Sequence, residues 1–110
     1  MSQHKILDLV TYEEYKSCIS QNQKVVIDFY ATWCGPCNKV APKFADFSGI
    51  FSNIVFAKVN VDINSQATET AEVEAMPTFV LYKDGKILSR HLGTNTAALE
   101  AKLKALDEQL

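Results

Sequence analysis

Two cysteines separated by two residues, Cys34 and Cys37, are the side chains of this 110-residue sequence whose spacing most clearly indicates chemistry. They follow an apolar strand-like run, residues 25–31, and open a helix-like segment, residues 34–48. Unpaired amide donors and the positive end of the helix dipole make a helix N-terminus favourable for an anion such as a thiolate. We therefore expect Cys34 to act as a nucleophile in thiol–disulfide exchange.

Cys37 lies one helical turn after Cys34, close enough to form a disulfide with it while the helix stays folded. We expect Cys37 to be the less exposed, resolving thiol. Cys34 would attack an external disulfide, and Cys37 would then attack Cys34 and release the reduced substrate. Pro36 is compatible with the first helical turn, because the amide hydrogen that proline lacks has no intrahelical partner there.

An acidic residue, Asp28, interrupts the apolar run that precedes the cysteines. Burial in such a strand should raise the pKa of its carboxyl group, which could then accept the Cys37 proton directly or through one water. Lys58, in the middle of a second apolar run, could partner Asp28 across the sheet. On the residues alone, a purely structural Asp28–Lys58 pair is an equally good interpretation.

The segments around these groups alternate between strand-like and helix-like patterns. We predict strands at residues 6–10, 25–31, 54–62, 78–82 and 87–92, and helices at residues 12–21, 34–48, 64–72 and from residue 94 or 95 onward. The order β-α-β-α-β-α-β-β-α places helical crossovers between the early strands and an antiparallel hairpin near the end. A mixed α/β sheet with helices on both faces follows.

Local signals set several of these boundaries. Thr11 and Glu14 have the spacing of a capping box at the start of the first helix. Gly49 suits the left-handed position that ends the second helix, and Asp84-Gly85 is typical of a hairpin turn. Leucines at helical spacing predict one apolar stripe on the last helix, formed by Leu99, Leu103, Leu106 and Leu110.

Length and composition, with 47% hydrophobic and 22% charged residues, predict one compact domain over residues 1–110. An odd cysteine count argues against a secreted disulfide scaffold and favours a reducing compartment. The sequence shows no signal-peptide pattern and no apolar run near the ~20 residues that span a bilayer. Formal net charge is −2, with both signs interspersed, so we expect neither nucleic acid nor membrane as a partner.

The run Asp28-Phe-Tyr-Ala-Thr-Trp-Cys-Gly-Pro-Cys37 resembles the thioredoxin family, as do Ala75-Met-Pro-Thr-Phe79 and Gly93 downstream. The match covers essentially the whole chain and is nearer to eukaryotic than to bacterial members. This resemblance implies the thioredoxin fold and a cytoplasmic, monomeric protein-disulfide reductant with a redox-active Cys34–Cys37 disulfide. It further implies that thioredoxin reductase re-reduces the protein with NADPH and FAD, and that the chain itself holds no cofactor or metal.

The resemblance also assigns roles to residues outside the cysteine motif. It implies a cis Met76–Pro77 bond whose backbone lies beside Cys34 and can pair with an extended substrate segment as an added strand. It favours the catalytic role for Asp28. It implies a flat apolar docking surface formed by Trp33, Gly35, Pro36, Val61, Ala75, Met76, Leu92 and Gly93.

One position departs from the family pattern. Most members have a lysine directly after the second cysteine, and this chain has Asn38. The loss of a positive charge removes an interaction that favours thiolate and helps to dock acidic partners. We therefore expect Cys34 to be somewhat less acidic than in the family, with Lys39 as a partial substitute.

A zinc site is another possible use of the cysteine pair. A zinc site needs four ligands, and beyond the motif only Cys18, His4 and His91 remain, with no second close pair. Cys18 fits a small buried hydrophobe better than a regulatory thiol that forms intermolecular disulfides. We expect both histidines to face solvent.

Two other functions use the same residues. The first is an oxidase or isomerase, although Gly-Pro between the cysteines resembles the reductants. The second is a redox-dependent binding module that uses the same apolar face without turnover.

Overall fold

The computed structural model describes residues 5–110, so the expectation for His4 lies outside the described residues. Nine elements follow one another in the predicted order: β1 (Ile6–Asp8), α1 (Tyr12–Gln21), β2 (Lys24–Tyr30), α2 (Gly35–Ile50), β3 (Val55–Asn60), α3 (Ser65–Thr70), β4 (Thr78–Lys83), β5 (Lys86–Leu92) and α4 (Thr96–Asp107). The predicted strand and helix types are confirmed, with boundaries that differ by up to a few residues.

The five strands form one mixed sheet in the order β1-β3-β2-β4-β5. Strand β3 pairs in parallel with β1 and β2, whereas β4 pairs antiparallel with β2 and β5. Strand β2 is central, and five consecutive residues of it are buried, which explains its continuous apolar pattern. The predicted mixed sheet and its closing hairpin are confirmed.

Helices cover both faces of this sheet, as predicted. On one face α1 and α3 pack on the strands through residues such as Tyr15 and Ala67. On the other face α2 and α4 contribute Phe44 and Leu103 to a core that includes Phe56 and Phe79 of the sheet. Fully burying one such side chain stabilises the fold by about 1.5–3 kcal/mol.

The capping box of α1 and the hairpin turn between β4 and β5 form as the sequence predicts. The Thr11 side chain accepts a hydrogen bond from the Glu14 amide at 3.1 Å, and the Glu14 carboxylate accepts one from the Thr11 amide at 2.9 Å. Asp84 and Gly85 connect β4 to β5 with φ values of 54° and 83°. Positive φ at both central residues matches the twist of a two-residue hairpin turn, and glycine adopts it without a Cβ clash.

Two helix-end predictions are wrong. Gly49 does not end α2, which continues to Ile50, because the buried Phe51 follows and its amide still donates to the Phe47 carbonyl at 2.8 Å. Leu110 does not extend the apolar stripe of α4, because the helix stops at Asp107 and Leu110 is fully exposed.

The prediction that His91 faces solvent is also wrong, since only 8% of the residue is exposed. His91 pairs with Phe79 across β4 and β5, and the two ring centroids are 6.1 Å apart. Strand β5 therefore turns this side chain toward the core. Burial lowers the pKa of His91 and the Lys102 ammonium lowers it further, whereas a backbone hydrogen bond with Asn95 opposes both effects.

Candidate active site

The two cysteines lie where the sequence places them, at the N-terminus of α2. Cys34 is the N-cap residue, with extended backbone dihedrals of −88° and 108°, and its Sγ accepts a hydrogen bond from the Cys37 amide at 3.2 Å. The pair forms a disulfide with the Cα atoms 5.3 Å apart. The sulfur of Cys34 thus already occupies the acceptor position that a helix N-terminus offers to an anion.

The two thiol positions differ in accessibility. Cys34 is 6% exposed and Cys37 is 2% exposed. Both pack in a small cluster with Ala31, and Val61 and Met76 pack against it. The order of accessibility agrees with the expectation that Cys37 is the inner thiol.

Asp28 is buried in β2, and its Oδ1 atom has no hydrogen-bond partner among residues 5–110. Burial raises the pKa of this carboxyl group to about 7, while the positive charge of Lys58 opposes the rise. A buried carboxyl group with this pKa can exchange a proton near neutral pH.

Lys58 lies in register with Asp28 on the neighbouring strand β3. The Lys58 ammonium is 5.6 Å from the centroid of the Tyr30 ring, and within residues 5–110 it forms no ion pair with Asp28. Its influence on Asp28 is therefore electrostatic and acts without a direct ion pair.

The Met76–Pro77 peptide bond is cis, as the resemblance implied. The Thr78 hydroxyl donates to the Ala75 carbonyl at 2.5 Å, and the Gly93 amide donates to the Pro77 carbonyl at 3.0 Å. Gly93 has a φ of 103°, a conformation that favours glycine. These contacts hold the segment before β4 beside the cysteines, where Met76 packs against the cysteine cluster.

The predicted docking residues include two large exposed apolar side chains, Trp33 at 69% and Leu92 at 62% exposure. The other members are also at least partly exposed: Gly35, Pro36, Val61, Ala75, Met76 and Gly93. An exposed indole normally moves freely. Here its Nε1 donates to Asp62 Oδ2 at 2.8 Å, and the Asp62 amide in turn donates to Asn60 Oδ1 at 2.9 Å.

Asp62 is the site residue to which sequence reasoning gave no role. Its position directly after Val61, a predicted docking residue, was the available signal. The structure shows that Asp62 fixes the orientation of Trp33. Asp62 therefore belongs with the residues that shape this surface.

The Asn38 side chain contacts the loop that precedes α2. Its side-chain amide donates to the Thr32 carbonyl at 3.3 Å. This hydrogen bond ties the first turn of α2 to the loop that follows β2. This position therefore carries a neutral side chain that contacts the loop.

Cys18 lies in α1 and is buried in the core formed with Tyr15 and Tyr82. Burial raises the pKa of its thiol, which disfavours the reactive thiolate. Among residues 5–110 no group of three histidine, cysteine or acidic side chains could hold a metal ion. The described part of the chain therefore offers no zinc site that uses Cys34 and Cys37.

A five-stranded mixed sheet with a Cys-Gly-Pro-Cys disulfide at a helix N-terminus defines a thiol–disulfide oxidoreductase. The Thioredoxin family model matches residues 7–105. This chain belongs to the thioredoxin family, and its fold is the thioredoxin fold.

Individual relatives agree with this assignment. Thioredoxin-1 of Schizosaccharomyces pombe is 50% identical over 92 residues, which cover 84% of this chain and 89% of that protein. The mitochondrial Thioredoxin-3 of Saccharomyces cerevisiae is 43% identical over 101 residues, which cover 92% of this chain and 80% of that protein. Thioredoxin from Plasmodium falciparum superposes with a TM-score of 0.89 at 39% identity and covers 91% of this chain and 98% of its own.

The expected resemblance to eukaryotic members is therefore confirmed. The family and the Cys34–Cys37 disulfide make this chain a thiol–disulfide reductant that acts on disulfide-bearing client proteins. The alternative of a binding module without turnover is not favoured.

Proposed function

We propose that Cys34 is the attacking and Cys37 the resolving thiol in a two-step reduction of client disulfides. Cys34 thiolate attacks one client sulfur, forms a mixed disulfide and releases the other sulfur as thiolate. Cys37 thiolate then attacks Cys34, closes the Cys34–Cys37 disulfide and releases the second client thiolate. The client gains two electrons and this chain loses two. The supporting observation is that Cys34 Sγ accepts a hydrogen bond from the Cys37 amide at the N-terminus of α2.

The second step requires the removal of a proton from the inner thiol, and we assign that role to Asp28. Cys37 is almost entirely shielded from solvent, so bulk water is poorly placed to accept its proton. The unpaired Oδ1 of Asp28 and a pKa of about 7 support this carboxylate as the acceptor, directly or through one water. Lys58 lowers the pKa of Asp28 and so keeps part of the population ionised at neutral pH.

The client segment binds along the docking surface around Trp33 and Leu92. Its backbone pairs with the segment beside the cis Met76–Pro77 bond as an added strand. Its apolar side chains lie against Trp33 and Leu92, whose exposure gives them surface to bury. The remaining contacts come from Gly35, Pro36, Val61, Ala75, Met76 and Gly93.

Electrons reach the disulfide from NADPH through the FAD-containing thioredoxin reductase, which is the second partner of this chain. This chain binds no cofactor or metal itself. It acts as a monomer formed by a single domain over residues 1–110.

We assign this chain to the cytoplasm. No helix within residues 5–110 has the length and apolar character to cross a membrane. Because one relative is mitochondrial by name, cell fractionation is the test of this location.

Reduction of a test protein disulfide with NADPH and thioredoxin reductase tests the proposal. The wild-type protein should show turnover. The Cys37→Ser variant should accumulate a mixed disulfide through Cys34, whereas Cys34→Ser should form none. Cys18→Ser is the matched control and should retain turnover, because Cys18 lies in the core away from the disulfide. A folded protein without turnover, or a mixed disulfide in the Cys34→Ser variant, would contradict the assignment.

A further inference from the structure

A cavity of about 200 Å³ lies directly beside the docking surface. It shares two residues with that surface, Ala75 and Leu92, and Val73 extends its apolar wall. Ala75 immediately precedes Met76, which packs against the cysteine cluster. A client segment paired beside the cis-proline bond, as proposed above, would therefore run close to this cavity.

Three charged residues and Thr78 complete the lining of the cavity. Glu72 and Glu74 contribute two exposed carboxylates and Arg90 contributes one guanidinium group. Arg90 Nη1 donates to the backbone carbonyl of Glu72 at 3.4 Å. Within residues 5–110 neither carboxylate forms an ion pair. The charged residues of the lining therefore carry a net charge of −1, and the Arg90 guanidinium is directed toward the Glu72 carbonyl.

The backbone at Glu72 is held in an unusual conformation. Its φ is +56°, in the left-handed region that a residue with a side chain adopts only at a cost of about 1–2 kcal/mol. The hydrogen bond from Arg90 to the Glu72 carbonyl helps to hold this turn. This hydrogen bond links the turn at Glu72 to β5 on one side of the cavity.

We propose that this cavity is a subsite for a lysine or arginine side chain of the client, placed a few residues from the attacked cysteine. The methylene groups of such a side chain can lie on Val73, Ala75 and Leu92 while its charged end meets Glu72 and Glu74. Because Ala75 of the cavity immediately precedes Met76 beside the cysteines, the client side chains that meet the cavity belong to residues near the client cysteine in sequence. The subsite deepens the proposed function and rests on it.

The test uses disulfide-linked peptides that differ at one position. Lysine, glutamine or glutamate is placed in turn at each of the three positions on either side of the client cysteine. The wild-type protein and reductase should reduce the lysine peptide about threefold faster in kcat/KM than the glutamate peptide. This preference should appear on one side of the cysteine only and should shrink as salt is added.

The Glu72→Gln/Glu74→Gln double variant should bring the ratio of the lysine rate to the glutamate rate close to one. The Glu13→Gln/Glu108→Gln double variant is the matched control, because it removes the same number of charges at two exposed residues that do not line the cavity. It should keep the wild-type ratio.

Equal wild-type rates for all peptides would overturn the subsite and leave the reductant function intact. A preference for the glutamate peptide would also overturn it and would make Arg90 the determinant. Failure to reduce any peptide, including the glutamine one, would count against the proposed function instead.

Discussion

Asp28 and Lys58 lie opposite each other on the adjacent parallel strands β2 and β3, yet the Lys58 ammonium lies over the Tyr30 ring, and Asp28 Oδ1 has no hydrogen-bond partner in the described part of the chain. A direct ion pair would hold the carboxyl group ionised and make it a poor proton acceptor. The observed arrangement leaves burial as the dominant influence, and burial raises the pKa of Asp28 to about 7. The same buried charge should lower the stability of the fold.

The first prediction concerns that stability in the oxidised protein. The folded-state pKa of Asp28 is about 7 against an ordinary value of 3.8. Between these values the folded state binds more protons than the unfolded state, so stability falls as pH rises through this window. Asp28→Asn removes this loss. The variant should gain up to about 4 kcal/mol over wild type between about pH 4 and pH 8.

Urea unfolding of both proteins at the two pH values measures this gain. Asp46→Asn, at an exposed position in α2, is the control and should follow wild type. A constant difference between Asp28→Asn and wild type at both pH values would show that Asp28 does not titrate in this range.

The second prediction concerns the rate of the same Asp28→Asn variant. Without a carboxylate to accept the Cys37 proton, release of the mixed disulfide should slow by about a hundredfold near neutral pH. The wild-type rate should rise through about pH 7, where Asp28 ionises. Acid-quenched single-turnover reactions that quantify the mixed disulfide provide the measurement. An unchanged rate from about pH 6 to pH 9 would rule out Asp28 as the proton acceptor.

The third prediction concerns acid stability at His91. Burial and the Lys102 ammonium lower the pKa of His91 below its ordinary value of 6.5. As pH falls below this value, the unfolded state takes up a proton before the folded state does, so stability is lost. His91→Phe should lose less stability than wild type when urea unfolding is compared at about pH 7.5 and pH 5. Equal losses in the two proteins would assign the acid sensitivity to other groups.

The fourth prediction concerns Asn38. Asn38→Lys restores a positive charge near the N-terminus of α2 and should increase the thiolate fraction of Cys34 at neutral pH. Alkylation of the reduced protein should become about two- to threefold faster at low salt, and the gain should shrink at high salt. Asn38→Ser, which also removes the hydrogen bond to Thr32, is the neutral control. Equal acceleration in both variants would attribute the effect to the lost hydrogen bond.

Local sequence patterns determined the order of the elements and the place of the cysteines. An apolar run indicates a buried strand, and an apolar repeat with a capping residue indicates a helix, because each pattern reflects contacts within a few residues. The capping box at Thr11 and the hairpin turn at Asp84 and Gly85 are of this kind. So is the placement of Cys34 at the N-terminus of α2.

The thioredoxin resemblance supplied a different kind of information. The cis Met76–Pro77 bond was expected from the family pattern and is present, although no periodicity indicated it. The peptide bond before a proline can adopt either the cis or the trans form at modest cost. Without knowledge of the family, the sequence around Pro77 therefore contains no physical signal that selects the cis form.

Tertiary packing alone decided the remaining features, because each depends on residues far apart in the chain. The strand order puts β2 between β3 and β4, and this burial sets the pKa of Asp28. Contact with Phe79 buries His91, and the end of α4 leaves Leu110 exposed. Tertiary packing also places the Lys58 ammonium over the Tyr30 ring. Local patterns place a residue on a strand or helix, but its neighbours across the fold determine its burial and its charge.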